Sequence, residues 1–201
     1  MSCCEKRPRG SPSNNPPGPR MVGNQTQRAS IEQKLIILGD YGVGKSSLAI
    51  RMFLDRFDED TSWFSSEGLI SKNIAVDKTA FKLSVHDTSG QEKFRSLTYS
   101  YYRNASAIIY AYDITNRTSF EGLHSWHGEL QMYSQALSNV MLVGTKCDLT
   151  AQRAVSTEEG IALAEQLGMP FLEVSAKEGT NTEKVLMMVA TACAQSLEAQ
   201  K

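Results

Sequence analysis

A glycine-rich loop set between an apolar run and an amphipathic one limits this chain more than any other stretch. Leu35-Ile36-Ile37-Leu38 reads as a buried strand and Ser47 onward as a helix; between them Gly39-Asp40-Tyr41-Gly42-Val43-Gly44-Lys45-Ser46 fits the pattern G-x-x-x-x-G-K-S/T. Glycines let such a backbone curl until successive N–H groups converge on an anion, and the helix that follows turns its positive end toward the same point. The expected phosphate-binding run is therefore Asp40, Tyr41, Gly42, Val43, Gly44, Lys45, Ser46 and Ser47. Lys45 supplies a point charge, and the Ser46 hydroxyl suits Mg²⁺.

A strand, loop and helix of this kind need a sheet to join, and the chain supplies one. Short apolar runs alternate with helical patterns from residue 31, predicting strands near 34–39, 69–76, 80–86, 106–112, 139–144 and 170–174. Helices are expected near 45–54, 92–100, 118–134, 157–167 and 182–197. The second and third strands follow each other around Asp77-Lys78-Thr79 with no helix between them, so one edge should be antiparallel. The expected architecture is α/β of the P-loop type: a six-stranded, mostly parallel sheet with one antiparallel edge strand and helices on both faces. Ligands of such sheets bind beyond the carboxyl ends of the strands. Val185, Met187, Met188 and Val189 on the last helix, with Trp126 and Leu130 on the third, are expected in the core, and His124 and His127 on an exposed face.

Residues 1–30 stand apart. Five of the six prolines lie there, with glycine, serine and asparagine, so the segment has too little apolar surface to offset chain entropy and is expected to be a disordered tail. The folded domain is placed at 31–197, with 198–201 as a short C-terminal tail. The first 30 residues carry a charge of +4 and the remainder −5, which excludes a nucleic-acid surface on the body. Four cysteines show neither metal-ligand nor disulfide spacing, which fits a reducing, cytoplasmic setting. No apolar run is long enough to cross a bilayer. Cys3 and Cys4, followed by Lys6, Arg7 and Arg9, could be acylated and held at an anionic membrane surface, or could belong to an unmodified tail.

Further motifs fall at strand ends. Asp87 follows a strand, where a carboxylate can hold Mg²⁺ through its waters, and the Gly90 N–H can meet a terminal phosphate. Thr145-Lys146-Cys147-Asp148 and Ser175-Ala176-Lys177 follow two later strands. Their order, with Tyr101-Tyr102-Arg103 and Tyr112-Asp113-Ile114-Thr115, resembles the Ras-superfamily small GTPases, and within them the Rab branch. The resemblance covers residues 31–197. It implies GTP and GDP as ligands with Mg²⁺ held by Ser46 and Asp87, and Gln91 orienting the attacking water. It also implies guanine recognition by Thr145, Lys146 and Asp148, with the Ala176 N–H of the Ser175-Ala176-Lys177 loop meeting the base oxygen. Phe57 matches the aromatic that packs on the base or ribose, or is a core residue. Effector, exchange-factor and GTPase-activating proteins are the implied partners, and vesicle traffic at the cytosolic face of an endomembrane is the implied process.

The chain departs from that pattern around the γ-phosphate. The Mg²⁺-ligating threonine of the first switch corresponds to Phe64, unless Ser62, Ser65 or Ser66 takes its place. Tyr41 replaces a small residue, and Ser89 replaces an alanine beside Gly90. Of an aromatic set between the switches, only Tyr101 is kept, with Leu69 and His86 at the other two places. The chain ends at Lys201 without the usual cysteines. These departures imply slow GTP hydrolysis. The alternative is a pseudo-GTPase scaffold that keeps its nucleotide without a hydrolytic cycle.

Overall fold

The computed structural model describes residues 31–86, 104–133 and 139–199. The expected helix at 92–100, together with Asp87, Ser89, Gly90, Gln91 and Tyr101, lies outside the described residues, as do Cys3 and Cys4. Six strands are present: β1 (Ile31–Leu38), β2 (Leu69–Val76), β3 (Thr79–His86), β4 (Ala107–Asp113), β5 (Val140–Thr145) and β6 (Phe171–Glu173). They form one sheet in the order β2-β3-β1-β4-β5-β6. β2 and β3 pair antiparallel across the turn at Asp77 and Lys78, and every other pair is parallel. The expected sheet, including its antiparallel edge, is the observed one.

Among the described residues six α-helices accompany it: α1 (Lys45–Leu54), α2 (Ser62–Glu67), α3 (Arg117–Glu121), α4 (Leu123–Tyr133), α5 (Thr157–Leu167) and α6 (Thr182–Ala199). The period of two along the inner strands divides their side chains between two cores. Leu35 and Ile37 of β1, Ile109 and Ala111 of β4 and Val143 of β5 pack in one cluster with residues of α1 and α6. Their neighbours Ile36, Leu38, Ile108, Tyr110, Tyr112 and Leu142 pack in the other, with residues of α4 and α5. All seven residues of β4 are buried, as expected of a central parallel strand covered on both faces.

Local chemistry explains the helix limits. α5 opens on a reciprocal capping box between Ser156 and Glu159 and closes on Gly168 in the left-handed region. The single helix expected over 118–134 is two, α3 and α4, separated at Gly122. There an added Cβ would lie 2.9 Å from the Asp40 carboxylate, so packing against the glycine-rich loop governs this point. Trp126 and Leu130 are in the core. Met187 is not: it is 44% exposed, because it falls outside the face of α6 that carries Val185, Leu186 and Val189 inward. His124 is exposed, but His127 is half-buried, its ring edge-on to Tyr110 and its Nε2 2.9 Å from Gln131.

α2 has no counterpart among the expected elements. It is short, and Gly68 closes it in the left-handed region. Its anchor is Phe64, which is 0% exposed and belongs to the same core cluster as Phe53, Ile70 and Phe81. Phe64 therefore does not face Tyr41 across the loop; it is a plug in the core. Trp63 beside it donates its indole N–H to Asp58 at 3.0 Å, and the Arg56 guanidinium lies 4.9 Å from the indole ring centre. Ser62 is exposed, and its backbone N–H is taken by Asp60. The side chains of Ser65 and Ser66 lie outside the description.

Candidate functional site

The strand order reverses about β1, which places the loop Gly39 to Gly44 at the topological switch point, beyond the carboxyl end of the strand. Gly39 leaves β1 at φ 147, and a Cβ there would come 2.1 Å from the Ala111 carbonyl oxygen of β4. Glycine is what allows the loop to lie that close. Gly42 and Gly44 are also in the left-handed region, at φ 78 and 90. Gly44 caps α1 without a side chain, and the first turn carries no acidic residue, so nothing competes for an anion at the positive end of this helix.

Lys45 and Ser46 are both buried at that end. The Lys45 ammonium donates to the carbonyls of Gly39 at 2.9 Å and Asp40 at 2.8 Å, which holds its stem back along the loop. Val43 is buried beneath the loop, while Tyr41 is 81% exposed at its crest. The Asp40 carboxylate turns away and accepts the Trp126 indole N–H at 3.0 Å, tying the loop to α4.

Beside the loop lies a cavity of about 230 Å³. Gly44, Ser47 and Leu48 form its α1 side, and Phe57 a flank. Its far side comes from two later loops: Thr145, Lys146, Asp148 and Leu149 after β5, and Val174, Ala176 and Lys177 after β6. The structure thus brings together residues from four separate stretches of chain. Ser175 does not line the cavity: fully buried, it accepts the Glu178 N–H on its hydroxyl and shapes the turn from within.

Thr145 and Lys146 join the two halves of the site. The buried Thr145 hydroxyl lies 2.6 Å from the Val43 carbonyl and 2.8 Å from that of Tyr112, so its one proton bridges the loop to β4 or to the glycine-rich loop itself. Lys146, in the left-handed region at φ 60, reaches back to donate to the Gly42 carbonyl at 3.0 Å and pairs with Asp113 at 2.6 Å. Its stem thereby walls the cavity near Gly44. Asp113, which sequence reasoning did not assign to the site, also accepts from the backbone and hydroxyl of Thr115. Below the loops Arg153 makes a bidentate pair with Glu173 at 2.7 and 2.8 Å. The thiol of Cys147 is pushed up by burial and by Glu173, which disfavours the thiolate.

The residues fit a nucleotide: a left-handed glycine cradle at a helix N-terminus adjoins a mixed apolar and polar cavity sized for a planar base. The oxygen donor at Ser46 is of the type a hard divalent cation takes. This is the arrangement of a P-loop nucleotide-binding domain. Comparison with known proteins narrows it. The Ras family profile matches residues 34–195. The Ras-related protein RIC1 of Oryza sativa subsp. japonica is 46% identical over 78% of this chain and 78% of its own length. The Ras-related protein RABD2c of Arabidopsis thaliana is 43% identical over 83% of each chain. The Ras-related protein Rab-37 of Mus musculus is 40% identical over 78% of this chain and 71% of its own. The chain belongs to the Ras family of small GTP-binding proteins, in the Rab-like branch.

Proposed function

We propose that this protein is a guanine-nucleotide switch of vesicle traffic with slow GTP hydrolysis. The observation that supports it most is the cavity formed by Lys146, Asp148, Ala176 and Lys177 directly beside the N-terminus of α1. The Asp148 carboxylate accepts from the ring N–H and amino group of guanine, while adenine would leave it desolvated and unpaired. Such a site discriminates by on the order of 10⁴ or more. Phe57 packs on the base or ribose edge. The glycine-rich loop, Lys45 and the first turn of α1 hold the phosphates, and the Gly90 N–H meets the terminal one. Ser46 and Asp87 would hold Mg²⁺, which would supply neutralisation of phosphate charge. Gln91 orients the attacking water.

Two features support slowness. Tyr41 projects into solvent from the crest of the phosphate loop, where a phenol obstructs a water or an arginine supplied by a partner; such an arginine is worth about 10³–10⁵ in rate. Phe64 is sealed in the core and offers no oxygen to Mg²⁺. The same burial favours a second reading, a scaffold that keeps one nucleotide structurally. The nucleotide carried by purified protein, with single-turnover phosphate release from GTP-loaded wild type and Tyr41→Ser, separates the two. A switch releases phosphate slowly and is accelerated by the substitution; a scaffold stays silent in both.

Activity at the cytosolic face of an endomembrane, with effector, exchange and GTPase-activating partners, is part of this reading and is supported by the family. The described residues contain no helix long and apolar enough to cross a membrane. An acylated Cys3-Cys4 pair next to Lys6, Arg7 and Arg9 would supply attachment. Equal membrane content of wild type and Cys3→Ser/Cys4→Ser after fractionation would end that idea.

A further inference from the structure

Arg51 lies in the last turn of α1, on the helix that begins at the phosphate loop, yet its side chain is committed to the other end of the site. Its Nε donates to the Ala176 carbonyl at 2.7 Å and one terminal nitrogen to the Lys177 carbonyl at 2.9 Å. The second terminal nitrogen is held by its own helix, at 3.2 Å from the Asp55 carbonyl and 3.4 Å from the Asp55 carboxylate. The side chain is only 16% exposed; its bond to the Ala176 carbonyl is partly buried, and that to the Lys177 carbonyl lies at the surface. A planar fork with five donors holds two successive carbonyls from separate nitrogens in one fixed plane, whereas an ammonium reaches them from a single rotatable centre.

The loop it grips is bent from within as well. The Ser175 N–H donates to the Thr180 carbonyl at 3.1 Å and the Ser175 hydroxyl accepts from Glu178. Gly179 turns the loop in the left-handed region at φ 78, beside the Arg51 guanidinium. In a trans peptide the N–H points opposite to the C=O. With the Ala176 carbonyl turned to Arg51, the Lys177 N–H faces away from it, and Ala176 and Lys177 are the loop residues that line the cavity.

We propose that Arg51 is a positioning residue for base recognition: by holding the Ala176 carbonyl, and bracing the loop at that of Lys177, it aims the Lys177 N–H at the 6-oxygen of guanine. The proposal rests on the guanine reading of the cavity. It makes α1 a rigid strut, with phosphates at its first turn and the base loop clamped to its last.

The test is competitive binding to the full chain of three nucleotides: GDP; 6-thio-GDP, in which a weaker acceptor replaces the 6-oxygen; and inosine diphosphate, which lacks the 2-amino group. Arg51→Ala is expected to lower GDP affinity about tenfold, the equivalent of 1.4 kcal/mol, and to shrink the preference for GDP over 6-thio-GDP. The preference for GDP over inosine diphosphate, which Asp148 sets, stays as in wild type. Arg51→Lys, which keeps the charge but loses the planar fork, falls between. An equal loss for all three nucleotides, or no loss, in both variants would overturn the proposal. Asp148→Asn is the control: if it fails to shift preference from guanine to xanthine diphosphate, the guanine reading itself falls. If it does shift, the Arg51 result stands or falls alone.

Discussion

Phe64→Ala should release α2 from the domain without unfolding the rest. The ring is wholly buried, so its removal forfeits about 1.5–3 kcal/mol of transfer free energy and, with the cavity left behind, about 3–5 kcal/mol in all. Against that stands a helix of six residues whose backbone ordering costs about 6–12 kcal/mol and which is far too short to persist alone. The ties that remain among the described residues include the Trp63–Asp58 hydrogen bond, the Arg56–Trp63 contact, the Asp60–Ser62 cap and the packing of half-buried Trp63 on the same core, together worth about 3–5 kcal/mol. They cannot hold the segment. Hydrogen exchange reads the outcome directly, because the Phe64 and Gly68 amides are bonded within it, to the Thr61 and Phe64 carbonyls. Their protection should vanish in the alanine variant while amides of β4 and β5 keep theirs. Phe64→Leu should retain part of the effect. Unchanged exchange at Phe64 and Gly68, with a urea midpoint shifted by less than the equivalent of about 1 kcal/mol, would refute Phe64 as the anchor. By the same logic Phe64→Thr, which puts a hydroxyl at the family's position, loosens the segment and does not by itself restore a switch.

Three further outcomes follow from the packing. The Tyr112 hydroxyl is buried without a hydrogen-bond partner among the described residues, so Tyr112→Phe should leave the urea midpoint unchanged or raise it. Gly160→Ala puts a Cβ 2.5 Å from the Phe171 ring and 2.6 Å from the Tyr112 hydroxyl, and should cost about 1–3 kcal/mol in denaturant unfolding. Burial first and the Lys34 charge second hold the His86 imidazole below its ordinary value, so the unfolded chain takes up its proton before the folded one does. Stability is then fully present above about pH 6.5 and is lost as pH falls through the folded value; His86→Gln should flatten that acid slope in a series of midpoints.

The sheet was legible because its central strands are buried on both faces and read as unbroken apolar runs, and because the glycine loop marks where the first of them ends. The motif loops were legible because each needs a particular residue at a strand end. What escaped depends on contacts made across the fold. Thr61-Ser62-Trp63-Phe64-Ser65-Ser66 has little helix propensity, and only the burial of one ring makes it α2. The break at Gly122 answers to the Asp40 carboxylate, and Met187 is apolar but lies off the buried stripe of its helix. Arg51 reads locally as a charge suited to a helix C-terminus, whereas its partners Ala176 and Lys177 are 125 and 126 residues away. No local pattern carries such information.

Tyr112 touches two glycines at once: a Cβ on Gly144 would stand 2.9 Å from its hydroxyl, and one on Gly160 would stand 2.6 Å from the same atom. The three positions are therefore not independent sites of variation. A larger residue at either glycine is excluded while the phenol is in place; loss of the phenol relieves the closest contact at Gly144, whereas at Gly160 the Phe171 ring 2.5 Å away still stands in the way. Among descendants of this chain, a substitution at Gly144 should arrive only after Tyr112 has been shortened, and a double substitution such as Tyr112→Ala/Gly144→Ala should be milder than its separate effects add up to.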